Sequence, residues 1–425
     1  MFAFFKDKES RYFARLWWAQ LISQFGDRIN QMALIGLVAE RTNGIVHAAN
    51  SVVGLTKLLA FTIIPVFIVG PIAGAYVDRW DRRRTLFICD FLRGFLVLTI
   101  PSFFIDMHSM VPIYIVVFFA FCFSRFYVPA KMSIIPNLVS QENLLQANSL
   151  ITTTGMIAFV LGCVFGGLLV ERWGARMGFV IDAITFFVSG MLVISIRKDL
   201  TMPLRNINLW KTGREMWQIK KSIFTEIQEG LKYLIEHKEI RFVINMLFIL
   251  LSAAGAVYVV IIVFIQQSFH SVTKHLGVLA VFLGVGLFLG ALGYGRWGKK
   301  FPWNKVIFTC LIGGGIMIGV FAVIVNRYPN IFLAAGLAVT LGLIIGPIFI
   351  ASNTIVHLVS DETMRGKVFS ALEIVIHFAF LIAMLFSSAL AARVSGLCIL
   401  LVVGLIFAVV GAVGLVRDEK KYDNV

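Results

Sequence analysis

The chain has 425 residues, 59% hydrophobic and 14% charged, with a mean hydropathy of +0.88. Soluble domains carry roughly a quarter charged residues and under half apolar ones, so a single water-soluble core is excluded. The net charge of +15 would point to nucleic acid in a soluble protein, but here the basic residues lie between apolar blocks rather than on one face, so no nucleic-acid partner is expected.

Twelve apolar segments follow in chain order: 13–40, 50–77, 85–105, 111–130, 147–171, 176–196, 242–267, 276–296, 305–325, 330–352, 368–392 and 395–416. Each is about the ~20 residues that cross roughly 30 Å of hydrocarbon. The polar stretch 197–241 separates six from six. The expected fold class is therefore an all-α membrane protein of twelve transmembrane helices in two pseudo-symmetric six-helix bundles. Its parts are an N-terminal bundle over 1–196, a cytoplasmic linker over 197–241 and a C-terminal bundle over 242–425. In the linker, Ile223, Ile227, Leu231 and Leu234 recur at helical spacing. That spacing predicts an amphipathic helix against the membrane face, in its simplest role a stiff tether. No short charged leader with a small-residue cleavage site opens the chain, so the first apolar block is expected to be a spanning helix.

Most of the 38 Lys and Arg residues fall on alternate loops. Lys6, Lys8, Arg11 and Arg15 precede the first span. Arg79, Arg82, Arg83 and Arg84 follow the second, and Arg125 and Lys131 fall at the inner end of the fourth. The linker and the C-terminal tail are basic as well. By the positive-inside rule both termini face the cytoplasm, in a bacterial cytoplasmic membrane. The five cysteines form no Cys-x-x-Cys pair. Neither a metal site nor a cofactor is indicated.

The two halves repeat. Ile135-Pro-Asn-Leu-Val-Ser-Gln-Glu142 returns as Ile355-Val-His-Leu-Val-Ser-Asp-Glu362, 220 residues on. Gly74-Ala-Tyr-Val-Asp-Arg-Trp-Asp-Arg-Arg83 faces Ala291-Leu-Gly-Tyr-Gly-Arg-Trp-Gly-Lys-Lys300, 217 residues on. Duplicated six-span units suit a passage that opens to each side in turn.

Ionisable and amide side chains inside spans are costly and face a cavity or a partner. Gln20, Gln24, Asp27 and Gln31 stack on one face of the first span at about 100° per residue, flanked by Arg28 and Asn30. This stripe is expected to line a substrate cavity, with Asn245 of the seventh span as a further lining residue. The competing reading is a polar zipper between helices. On the eleventh span Ser370, Glu373 and His377 share a face. Glu373 and His377, at i and i+4, can pass a proton between them. With Asp27 they are the candidates for proton or ion coupling. Glu373 lies about one and a half turns from the cytoplasmic end, so a wet gate is the alternative. Lys57 and Asp182 read as lying toward the outer side, and Asn353 is a further weak candidate.

Gly74-Ala-Tyr-Val-Asp78-Arg79-Trp80-Asp81-Arg82-Arg83 resembles the loop between helices 2 and 3 of the major facilitator superfamily, with Asp81 in place of its second glycine. Arg15-Leu-Trp-Trp-Ala-Gln-Leu-Ile-Ser-Gln-Phe-Gly-Asp27, Val128–Val139 and Glu226–Ile235 resemble one branch of it, which contains macrolide-efflux proteins, enterobactin exporters and lysophospholipid transporters. The resemblance covers essentially the whole chain. It implies a cytoplasmic gate at Asp78, Arg79, Arg82 and Arg83, with Asp90, Arg93 and Arg125 as partners. The antiporter-type signature of the superfamily's fifth span, G-x-x-x-G-P-x-x-G-G, is matched at Gly162, Gly166 and Gly167, with Ala158 in place of its first glycine and Cys163 in place of its proline; the small residues still permit close helix packing. Transport by alternating access is the expected activity, most directly gradient-driven export of an amphiphilic or drug-like molecule by a monomer. The coupling ion would be a proton or sodium. Movement of a lysophospholipid between leaflets is the alternative, and a non-transporting sensor or scaffold a more distant one. No Walker loop, nucleophile elbow or metal-ligand spacing supports an enzyme.

Overall fold

The computed structural model describes residues 8–42, 48–77, 80–107, 109–140, 143–196, 228, 232, 238–298, 302–359, 365–391 and 393–422. Among them every regular element is helical. In chain order these are α1 (Lys8–Arg41), α2 (Ala48–Ile68), α3 (Gly70–Val77), α4 (Arg82–Thr99), α5 (Val111–Leu138) and α6 (Leu144–Ile194). They are followed by α7 (Lys238–Phe269), α8 (Lys274–Trp297), α9 (Trp303–Arg327), α10 (Ile331–Val359), α11 (Arg365–Ala391) and α12 (Gly396–Tyr422). The amphipathic stretch expected in the linker lies outside the described residues.

Ten helical segments among the described residues are long and apolar enough to cross a membrane. One of them, Gln146–Ile194, holds two spans. At Gly174 the backbone turns to φ 77° and ψ 169°, a conformation that residues with a Cβ rarely adopt, and the chain reverses there without a loop. The first span, α1, falls outside the apolar set because it carries Asp27, Arg28 and three glutamines within the membrane. Twelve spans result. The second is α2 and α3 joined at Val69, where Pro71 cannot donate a backbone hydrogen bond. The third is α4 extended by a π-turn over Ile100–Phe104, which contains Pro101.

Contacts group the chain into two units, Met1–Leu37 with Lys57–Glu226, and Val38–Thr56 with Ile227–Val425. In the first, Phe13, Leu16, Leu86, Ile134, Leu138 and Val193 are all fully buried in one cluster. Helix α4 packs on α5 and α6, and α3 packs on α5. In the second unit α8 packs on α10, α9 on α10 and α12, and α7 on α11. The third, fourth and sixth spans thus meet as the ninth, tenth and twelfth do, so the internal architecture is duplicated. Glycines permit the approach in the second unit. Gly286 and Gly290 of α8 meet Gly342 and Gly346 of α10 backbone to backbone, leaving no room for a Cβ. Large apolar side chains such as Phe95, Phe165, Phe288 and Leu405 point outward, as lipid contact requires.

Candidate functional site

The polar arc of α1 is broader than a single stripe, and its edges serve different neighbours. On one flank Gly26 sits so close to the second half of α6 that a Cβ there would strike Thr185 and the Asp182 carboxylate. Asp182 is fully buried, with Thr185 Oγ1 3.3 Å from its Oδ1 and Asn30 beside the same carboxyl. It is packed against α1. On the other flank Gly162 and Gly166 of α6 receive Arg28 and Ile29, and the Gln24 side chain lies against Gly155. Arg28 Nη1 donates to Gln31 Oε1 at 3.0 Å, and its guanidinium stands 4.9 Å from the Phe159 ring centroid. Gln24 and Arg28 therefore run along the fifth span, while Ser23, Asp27 and Asn30 turn away from it and Gln20 is buried.

Between the flanks, α1 meets a buried charge cluster. Arg93 of α4 is ion-paired with Asp90 one turn earlier, and both side chains are shielded from solvent. Ser189 Oγ of α6 donates to Asp90 Oδ2 at 2.6 Å. The Arg93 guanidinium lies 4.5 Å from the Tyr127 ring and 4.3 Å from the Phe186 ring, and Nη1 lies 3.4 Å from Ser124 Oγ. Aromatic faces on both sides replace water around this cation. Asp27 is half-buried and within electrostatic reach of Arg93 first, then Arg28 and Lys131. Three carboxylates (Asp27, Asp90, Asp182) and two cations (Arg93, Lys131) thus gather inside one bundle, with Arg28 on the other flank of α1. Charged groups set so close together in a span are costly and hold one another in place.

Asp90 and Arg93 belong by position to this interior rather than to the start of α4. Eleven residues separate Arg93 from Arg82, about 16 Å along a helix. At the start of α4, Asp81 is the N-cap and accepts from Arg84 N at 2.9 Å. The acid in place of the usual glycine thus satisfies a free backbone donor. Arg82 Nη1 donates to Ser133 O at 2.9 Å, Arg83 Nη2 donates to Ile194 O, and Arg15 Nη1 to Ser195 O. These arginines tie the ends of the spans in their own bundle. Asp78 and Arg79 lie outside the described residues. Arg125 is half-buried on α5.

In the second unit His377 Nδ1 lies 2.8 Å from Glu373 O and 3.3 Å from Glu373 Oε2 on α11, with the Glu373 side chain 61% exposed. Asn245 is exposed on α7, and Lys57 on α2 is exposed too. The side chains of Ser370 and Asn353 are outside the described set. Gln266, at the end of α7, is fully buried and donates Nε2 to Val272 O at 2.6 Å, closing the turn into α8.

Lys131 is the residue sequence reasoning misplaced. It was expected at the inner end of the fourth span, but α5 continues to Leu138 and buries Lys131 among Tyr127, Ala130, Ile134 and Ile135. The signal was available, since those positions continue one helical face through 131 and past Pro129. Ser189 and Tyr127 carried no signal of their own, because hydroxyls are common in spans.

A family profile described as transmembrane secretion effector matches residues 3–415. An uncharacterised MFS-type transporter, YkuC of Bacillus subtilis, is 26% identical over 85% of this chain and 81% of its own length. Macrolide efflux protein A of Streptococcus pyogenes is 24% identical over 68% and 67%. The putative bacilysin exporter BacE of B. subtilis is 24% identical over 82% and 84%. Among solved structures, an inward-facing bacterial homologue of the iron transporter ferroportin superposes with a TM-score of 0.71 at 14% identity, covering 95% of this chain and 98% of that one. A bacterial homologue of the lysosomal transporter Spinster gives 0.68 at 13%, covering 97% and 98%. At these identities the structural likeness establishes the fold.

Proposed function

The chain belongs to the transmembrane secretion effector family of the major facilitator superfamily, and on that premise we propose that it exports an amphiphilic or drug-like small molecule by alternating access, driven by an ion gradient. It is a multi-pass membrane transporter with efflux-related relatives, not an enzyme. The observation that carries the finer reading is Asp27, a half-buried carboxylate in mid-span beside Arg93, Arg28 and Lys131. An acid kept in a membrane interior at that cost is best explained by a coupling role. Glu373 and His377 are the second coupling candidate. Asp78 and Arg79 complete the cytoplasmic gate, and Asn245 lines the pathway from the other bundle. On this reading 1–196 and 242–425 are the two bundles and 197–241 is the linker between them. Both termini are cytoplasmic, in the inner membrane, and the working unit is the monomer.

The test is accumulation of amphiphilic dyes, carboxyfluorescein and rhodamine 6G, in cells expressing the wild-type protein or Asp27→Asn, with and without an ionophore that collapses the proton gradient. Lower accumulation with wild type, abolished by the ionophore or by the substitution, is the expected result. Equal accumulation in all cells, with labelled lysophospholipid moving instead, would replace the drug-like substrate by a lipid.

A further inference from the structure

We propose that Arg28 is the substrate-selecting residue of this pathway and that the transported amphiphile carries a carboxylate or comparable anionic group. The inference rests on the export reading and names the substrate class for it.

A guanidinium within a membrane span is normally neutralised by an acid in contact. Arg93 follows that rule through its ion pair with Asp90. Arg28 does not. Its described contacts are the Gln31 amide oxygen at 3.0 Å and the Phe159 ring at 4.9 Å, both uncharged. Asp27, next to it in sequence, is felt electrostatically but makes no ion pair with it among the described residues. Asp27 instead turns with the face of α1 that meets Arg93 and Lys131. Gln31 therefore orients Arg28 without cancelling its charge.

The surroundings are shaped for the rest of an amphiphile. Gly162 leaves the space that the Arg28 stem occupies, since any Cβ at 162 would meet the Arg28 Cβ at 2.5 Å. The Phe159 ring stands against the guanidinium. A fixed planar donor beside an aromatic face suits a carboxylate attached to an apolar or aromatic body. A quaternary or amine cation would meet like charge there. Outward movement of an anion is also favoured by an inside-negative membrane potential.

The test compares two xanthene dyes of similar body and opposite charge, carboxyfluorescein and rhodamine 6G, on purified full-length protein in lipid nanodiscs. Wild-type protein should bind the anionic dye more tightly by fluorescence anisotropy. Arg28→Gln should weaken that binding about tenfold or more, the worth of a charge-assisted hydrogen bond, and leave the cationic dye unchanged. Arg28→Lys should retain part of the anion preference. Equal weakening for both dyes, or no change for the anion, would overturn the proposal. Should Arg28→Gln not fold, the wild-type preference decides, and a preference for the cation overturns it. Efflux of both dyes from cells tests the underlying reading separately. Binding without efflux refutes export while leaving the anion site intact.

Discussion

Ser189 donates its hydroxyl hydrogen to Asp90 across the third and sixth spans, with Oγ 2.6 Å from Oδ2. The other oxygen of Asp90 is held by Arg93, so one carboxylate joins two helices and fixes the cation that faces Asp27. The bond sets where the Arg93 side chain can go.

Removing the acid exposes that dependence. Asp90→Asn leaves the Arg93 charge buried among Tyr127, Phe186 and Ser124. Breaking a buried pair from one side costs about 3–5 kcal/mol. Ser189→Ala removes one charged hydrogen bond and costs about 1–3 kcal/mol. Thermal unfolding of the detergent-purified proteins should rank wild type above Ser189→Ala above Asp90→Asn. The double variant Asp90→Asn with Arg93→Gln should regain part of the loss.

Gly174 tests the turn between the fifth and sixth spans. Nothing lies within 4 Å of a Cβ built there, so Gly174→Ala meets no steric clash and acts through the backbone alone. Holding a residue with a side chain at φ 77° and ψ 169° costs about 1–3 kcal/mol. A melting temperature equal to wild type would show that the turn takes another form.

Close packing in the second unit makes the opposite case, where volume and not torsion decides. Gly342→Leu would force α10 away from Leu283 and Leu287 of α8. Overpacking of this kind costs about 1–3 kcal/mol, occasionally more. Lower yield of folded protein on size-exclusion chromatography is the expected readout, with Gly336→Leu, at a site open on all sides, as the tolerant control.

Glu373 is mostly exposed, and its partner His377 is on its own helix. Pairs of this kind add at most about 0.5 kcal/mol to stability. Glu373→Gln should therefore melt with wild type. If it carries a coupling proton, transport by the variant should lose its response to an imposed pH gradient; a retained response removes Glu373 and His377 from the coupling path.

The spans were legible because hydrocarbon thickness sets their length, and the fifth-to-sixth turn was marked by Arg172 and Arg176. Its form was not, since a one-residue reversal depends on the torsion of Gly174 rather than on polarity. The α1 residues were recognisable as costly in a membrane, yet one helical projection could not tell which flank meets which neighbour. Gln24 and Arg28 therefore read as one stripe with Asp27, while the fold divides them between the fifth span and the bundle interior. Lys131 was hidden for a related reason. A basic residue two positions after Pro129 looks like the end of a span, and only packing shows that the helix continues.

Lys131 completes the functional cluster, and its charge rather than its size should matter. Lys131→Met keeps the apolar stem and should abolish export while the protein still folds, whereas Lys131→Arg should keep measurable export. Drug accumulation in cells, normalised to the amount of folded protein, is the measurement. Full activity in Lys131→Met would detach Lys131 from the pathway.

The most direct test of the account is transport into inverted membrane vesicles under an imposed proton gradient, comparing wild type with Asp27→Asn at equal protein. The account predicts gradient-driven accumulation of substrate with wild type and loss of that gradient dependence with Asp27→Asn. Asp27→Asn vesicles that accumulate substrate at the wild-type rate, with the same response to the gradient, would contradict it.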